Sequence, residues 1–529
     1  MSWHTMSENK LPPAYPSLIP IFGHIIPFLW DNRSFFERLT SYQGKATGAR
    51  VSLLGHDLFL FQDQQSILKI WATATLSSPI KISTYTFKYF FGVPEETLAV
   101  YNADSSGPFR RPYPGSTVPE QRRVDYLSHN EFLRALSGPG LEPTVQRFKA
   151  GLDQEVNGFG VSDDWQEQSS FQDFLGHAVC SPMVKAIFGP ALISLNPGFV
   201  EDLFEFDANV PWLARGLPSW LIPKAHRARE KLAGHFRRWH AYSKQHFTCA
   251  DVYEDGDGDP YWGSAFIRNR HTIFTRVGGH SDDAIVALDI GLSFGLISNT
   301  SPATILMAWH IFKDPELLQR IRNELRERVG AQSYKDVHPK VFLGSPLLQS
   351  VYAEVLRLYT NVYIMVSPPQ GDVNLGRWRL PKGAIALLNT CISHHDPQLW
   401  NTRGGLHPVN EFWADRFLIY PGDKSSGPVN PGIKNVRDKA RLPSERNTEP
   451  FFSTAGLDAS WFPYGGGHSI CPGRHLAKTI IIFTCVMLVS EFDIEILTDT
   501  LDFNSWRFGL GISKPKNSMP FRVRRRNHK

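Results

Sequence analysis

The stretch from Phe462 to His475, F-P-Y-G-G-G-H-S-I-C-P-G-R-H, sets one cysteine on a glycine-rich loop directly ahead of an apolar helix. A thiolate that ligates haem iron must come close to a flat macrocycle, so small residues have to precede it. Gly465, Gly466 and Gly467 are expected to remove the Cβ atoms that would meet the ring. Pro472 ends the loop, and the next helix would turn its free N–H groups and positive dipole end toward the sulfur of Cys471. Such a thiolate, opposite an open face of the iron, favours O–O cleavage. Read by itself, the segment also fits a small buried cysteine after an ordinary glycine turn.

Four other segments bear on that choice. Glu354 and Arg357, in A-E-V-L-R-L, stand three apart and share a helix face. From Gly376 to Asn389, two apolar or alternating runs flank Pro381, Lys382 and Gly383, a pattern that predicts a β-hairpin. His394, Asp396, Pro397 and Trp400 follow; adjacent His394 and His395 are expected to serve as caps and turn contacts rather than metal ligands. Ser281, followed by two acids, starts a long apolar helix that runs to Lys313. Pro302 should break its hydrogen-bond ladder four residues back, where Ser298, Asn299, Thr300 and Ser301 can satisfy the freed carbonyls.

Together these segments resemble the cytochrome P450 superfamily. Its ligand loop reads aromatic, two residues, Gly, three residues, Cys, one residue, Gly, and Tyr464, Gly467, Cys471 and Gly473 fill those places. Ser469 stands where a basic residue is frequent, so His468 is expected to meet a haem propionate instead. E-F-W-A-D-R-F-L is similar to the family's meander, and the resemblance implies that Arg416 joins Glu354 and Arg357 in a buried triad holding the loop geometry. Most relatives place an acid and a threonine where this chain has Ser298 and Asn299. Asn-Thr-x-Pro there, and the run from Arg507 to Arg526, resemble the branch of sterol 7α- and 12α-hydroxylases and prostacyclin synthase.

The resemblance implies a mainly α fold with small β-sheets: one large haem domain, 31–529, after a proline-led segment, 1–30, with no full transmembrane span. It implies a haem b monooxygenase with Cys471 as axial ligand and Asn299 and Thr300 facing the distal oxygen. Electrons would come from NADPH–cytochrome P450 reductase, and the substrate would be a lipophilic small molecule such as a sterol, terpenoid or polyketide. Two alternatives stay open: a haem-thiolate isomerase or dehydratase acting on a peroxide, and a non-catalytic haem carrier or sensor. The pocket is expected to include Leu292, Gly295, Leu296, Val362, Ile364 and Leu510. No arginine follows the Glu354 helix between Asn361 and Pro369, so His468, His129 or Arg134 would hold the propionates.

Composition agrees. Hydrophobic residues at 42% and aromatics at 12% suffice for a large core and exclude disorder. A net charge of +5 with only a short basic tail at Arg524, Arg525 and Arg526 argues against nucleic acid. Five cysteines in no spaced framework fit a reducing, cytosol-facing location at the endoplasmic reticulum membrane, or a soluble cytoplasmic one. The run from Leu18 to Trp30 holds Pro20 and Pro27 and is shorter than the roughly 20 residues of a span. Its Ile25, Ile26, Phe28, Leu29 and Trp30 suggest peripheral membrane contact. G-G-G-H lacks the strand and acid of a dinucleotide fold, so reducing equivalents must come from a partner.

Overall fold

The computed structural model describes residues 10–16, 24, 31–41, 48–53, 56–73, 75–77, 79–330, 332–433 and 449–527. The apolar cluster between Ile25 and Trp30 lies outside them, as does most of the polar stretch after Gly422. Helices account for 51% of the chain, beside several small sheets in a single large domain. Those that build the site are α1 (Gln64–Ala72), α2 (Glu95–Ala103), α3 (Val124–Leu136), α4 (Pro223–His246), α5 (Ala265–Val277), α6 (Asp282–Ile297), α7 (Thr300–Lys313), α8 (Pro346–Tyr359) and α9 (Arg474–Glu491).

Helices α6, α7 and α9 are apolar on nearly every face and pass through the core, as all-round hydrophobicity requires. The Ser281 hydroxyl caps α6 by accepting the Ala284 N–H. The long apolar run is two helices rather than one. It opens at Ser298 and Asn299, which puts Pro302 in the first turn of α7, where a missing N–H breaks no intrahelical bond. Among the described residues, 282–313 alone is long and apolar enough to cross a membrane, and 78% of an 18-residue apolar window within it is buried in the protein, so it serves as core.

The largest sheet combines β1 (Gly48–Leu53), β2 (His56–Phe61), β3 (Thr360–Val366), β6 (Ile385–Asn389) and β7 (Leu510–Ile512), in the order β1-β2-β6-β3-β7. The Gly376–Asn389 stretch departs from the predicted hairpin. A turn does form at Pro381–Gly383, but β5 (Arg379–Leu380) pairs with β4 (Val373–Asn374), while β6 lies between β2 and β3. Apolar alternation shows that a strand has a buried face; it does not show which neighbour takes its edge.

Candidate active site

Beneath α6 and beside β3 and β7 lies a cavity of about 1150 Å³, and Cys471 borders it. The cysteine is partly buried. Its N–H donates to the Tyr464 carbonyl (2.8 Å), and α9 starts three residues on. Burial pushes the thiol up from its ordinary value; the Gly473 and Arg474 N–H groups and the Arg474 charge oppose this by favouring the thiolate.

Two of the glycines before it, Gly466 and Gly467, do a different job from the one expected. A Cβ on Gly466 would overlap the Trp71 ring, and one on Gly467 would stand 2.9 Å from the Trp71 Cα. Gly467 also has φ +57°. Gly466 and Gly467 therefore let the loop lie against α1, and Gly467 does not border the cavity, whereas Gly465 and Gly473 do. A Cβ on Gly473 would make ordinary contact, 3.7 Å from Leu136 and 3.8 Å from the Cys471 sulfur.

Glu354, Arg357 and Arg416 are fully buried and in contact. Glu354 accepts from Arg357 at 2.7 and 2.8 Å, from Arg416 Nε at 2.8 Å and from the Trp413 N–H at 3.2 Å. Burial would raise its pKa; the guanidiniums, Arg357 foremost, outweigh that and hold it below the usual carboxylate range. Their remaining N–H groups bind loop carbonyls, those of Arg357 at His394 and Val409. His394 carries the connection to the cysteine loop. Its Nε2 accepts the Phe462 N–H (3.1 Å), which leaves Nδ1 protonated to donate to the Arg357 carbonyl (3.2 Å). The sequence pattern marked His394 without this role, because Phe462 lies 68 residues away.

Across the cavity, Leu292, Gly295, Leu296, Asn299, Thr300, Val362 and Ile364 form the wall. Leu510 does not: it packs on the core, and its neighbours Gly511 and Ile512 border the cavity instead. Asn299 Oδ1 accepts the Ile512 N–H at 2.9 Å, tying the helix opening to β7. Its Nδ2 group donates to no described residue. His129 and His468 both line the cavity, and burial together with the nearby His468 lowers the His129 pKa. Arg134 does not reach the cavity. Glu131, one turn before it on α3, takes its guanidinium at 2.6 to 2.9 Å and turns it away.

Behind α6, Asp289 accepts from Arg270 (2.6 Å), His240 (2.9 Å) and His271 (2.9 Å). The guanidinium already neutralises this buried carboxylate, so the cluster is a hydrogen-bonded knot tying α4, α5 and α6 together. Sequence reasoning missed it, and missed Tyr101, Asp125 and Ser128 on the cavity wall, since no local spacing marks them.

The family model for Cytochrome P450 matches residues 163–521. The chain is 30% identical to the Cytochrome P450 monooxygenase efuG of Hormonema carpetanum over 99% of its own length and 93% of that protein. It is 29% identical to the Cytochrome P450 monooxygenase fsoE of Humicola fuscoatra, over 98% and 88%. A 25-hydroxycholesterol 7-alpha-hydroxylase of Rattus norvegicus is 23% identical over 68% of this chain and 80% of that protein. The chain therefore belongs to the cytochrome P450 family. It is a haem monooxygenase of that family, holding haem b through a cysteine thiolate, and such enzymes use redox partners and lipophilic substrates.

Proposed function

We propose that Cys471 is the axial ligand and that the chain inserts oxygen from O2 into a lipophilic substrate held beneath α6. The observation that carries this is the position of the Cys471 sulfur, backed by two N–H groups, on the wall of a largely apolar cavity. The residues fit a haem: a sulfur donor on one side, apolar Leu136 and Ile481 beside it, and His129 and His468 as polar groups for propionates. Bound there, haem supplies oxygen activation with electrons from NADPH–cytochrome P450 reductase. Glu354, Arg357 and Arg416, linked through His394 to Phe462, hold the cysteine loop. Asn299 and Thr300 line the distal side; Thr300 can order water, and Asn299 offers an N–H donor that does not titrate. The cytosolic side of the endoplasmic reticulum is the proposed location, with peripheral membrane contact.

The test is direct. Reduced holoprotein under carbon monoxide should show the red-shifted band of sulfur coordination, and Cys471→Ala should abolish it; an unchanged spectrum overturns the ligand assignment. Consumption of NADPH with reductase, coupled to oxygen insertion, supports monooxygenation. Turnover of a lipid hydroperoxide without reductant supports rearrangement, and neither activity over a broad panel leaves a carrier.

A further inference from the structure

Two helices measure the cavity from end to end. On α3, Leu136 adjoins Gly473 of the cysteine loop and Ser137 donates to the Pro472 carbonyl, while Asp125 borders the cavity eleven residues earlier. On α6, Arg270 reaches the Leu288 carbonyl (3.4 Å), eleven residues before the opening at Asn299. At a rise of 1.5 Å per residue, both give about 16 Å between the cysteine end and the far end.

The far end is polar, and two of its side chains lack hydrogen-bond partners among the described residues. The Tyr101 hydroxyl and the Asp125 carboxylate both border the cavity, and neither has a hydrogen bond among the described residues. The two are close enough for the Asp125 charge to raise the Tyr101 pKa. Arg270 also borders this end; one of its nitrogens is held by Asp289, and its Nε–H is covered and has no acceptor. The adjacent Asp104 is already occupied, by Ser106 and by the Asp125 N–H. Buried polar groups normally find partners, so this pair, left unpartnered on the wall of the cavity, calls for one from a ligand. Burial, then Asp104, raises the Asp125 pKa to about 6, as expected of a carboxyl lacking donors.

We propose that Tyr101 and Asp125 form a recognition subsite for a hydroxyl group on the substrate, which donates to the Asp125 carboxylate and accepts the Tyr101 O–H. A hydroxyl does both with one oxygen and adds no charge. A carboxylate would face Asp104 and Asp125, and an ammonium would stand against the Arg270 guanidinium that borders the same end. A ketone or ether could accept from Tyr101 but would leave Asp125 unmet. The substrate class is then a lipophilic alcohol, rigid or extended, whose hydroxyl lies up to about 16 Å from the cysteine end of the cavity. This rests on the proposed oxygen insertion at the Cys471 side.

The test uses purified holoprotein with two matched probe sets: cholesterol, its 3-methyl ether and its 3-deoxy analogue, and 1-hexadecanol, hexadecane, palmitate and hexadecylamine. Binding is read as the spin-state shift of the Soret band and as a rise in melting temperature. In at least one set the alcohol should bind about tenfold tighter than its deoxy partner and its other analogues. Asp125→Asn and Tyr101→Phe should each remove most of that preference while leaving deoxy affinity within about twofold. Equal binding of alcohol and deoxy compound, tighter binding of the amine or acid, or no binding in either set overturns the proposal. Because the alcohol series is read on the wild-type protein, poor folding of a variant does not rescue it. A normal carbon monoxide spectrum alongside any of these failures leaves the Cys471 assignment standing; a missing red-shifted band sinks that assignment first.

Discussion

Residue 511 has to be glycine because of a residue more than 200 positions earlier. Gly511 has φ +133°, and a Cβ there would overlap the Asn299 side-chain oxygen that accepts the Ile512 N–H. Gly511→Ala should therefore cost about 2 kcal/mol through backbone strain and the displaced amide. Asn299→Ala should lose the tie but make room. The double variant is then expected to lose less than the sum of the two single losses, by about 1 kcal/mol, in a melting-temperature cycle on the holoprotein. Strict additivity would mean the two side chains do not meet. Asn299 was legible from N-T-S-P, a local motif at a helix break. The purpose of Gly511 was not, since G-L-G-I reads as any strand with a weak interior. Gly466 and Gly467 were misread for the same reason: Trp71, whose ring the first accommodates and whose backbone the second does, lies on a helix near the other end of the chain.

At the scale of elements, the E-x-x-R spacing gave one helix face, and the resemblance supplied the third member of the triad. What no pattern could supply was the set of loop carbonyls that the guanidiniums satisfy. Arg416 alone donates to Asn401, Pro408 and Glu411. Arg416→Leu would strip those carbonyls and leave Glu354 with one cation, at a cost of about 3 to 5 kcal/mol. The expected result is a low ratio of haem to protein on purification and a weak carbon monoxide band. Arg416→Lys should recover little, because an ammonium cannot reproduce the guanidinium fork. If the leucine variant keeps full haem content, α8 and the loop after it do not depend on the triad. The misread hairpin belongs at this scale too. Periodicity placed β5 and β6 as strands, while their partners β4, β2 and β3 were chosen by tertiary packing.

For the whole molecule, stability should fall on acidification because the fold buries neutral histidines. His310 stacks on Phe412 (3.8 Å) with Nε2 2.9 Å from the Tyr359 hydroxyl, and burial depresses its pKa to about 3. His395 is depressed to about 4, again chiefly by burial. Unfolded histidine titrates near 6.5, so the unfolded chain takes up protons below that pH while these two sites do not. Stability is therefore present above about pH 6.5 and lost as pH falls toward 4, by about 2 kcal/mol per site at pH 5. Asp125 works the other way. Its folded pKa of about 6 lies above the ordinary carboxylate value, so its contribution is lost as pH rises between about 4 and 6, and lowering the pH from 6 to 5 returns about 1 kcal/mol. The histidines win, leaving a net loss of about 3 kcal/mol at pH 5 relative to neutral pH. The apparent melting temperature of the holoprotein should be lower at pH 5 than at pH 7. His310→Gln, which keeps a donor or acceptor for Tyr359 and cannot titrate, should shrink that difference by about two-thirds; an unchanged difference would mean that His310 is protonated in the fold.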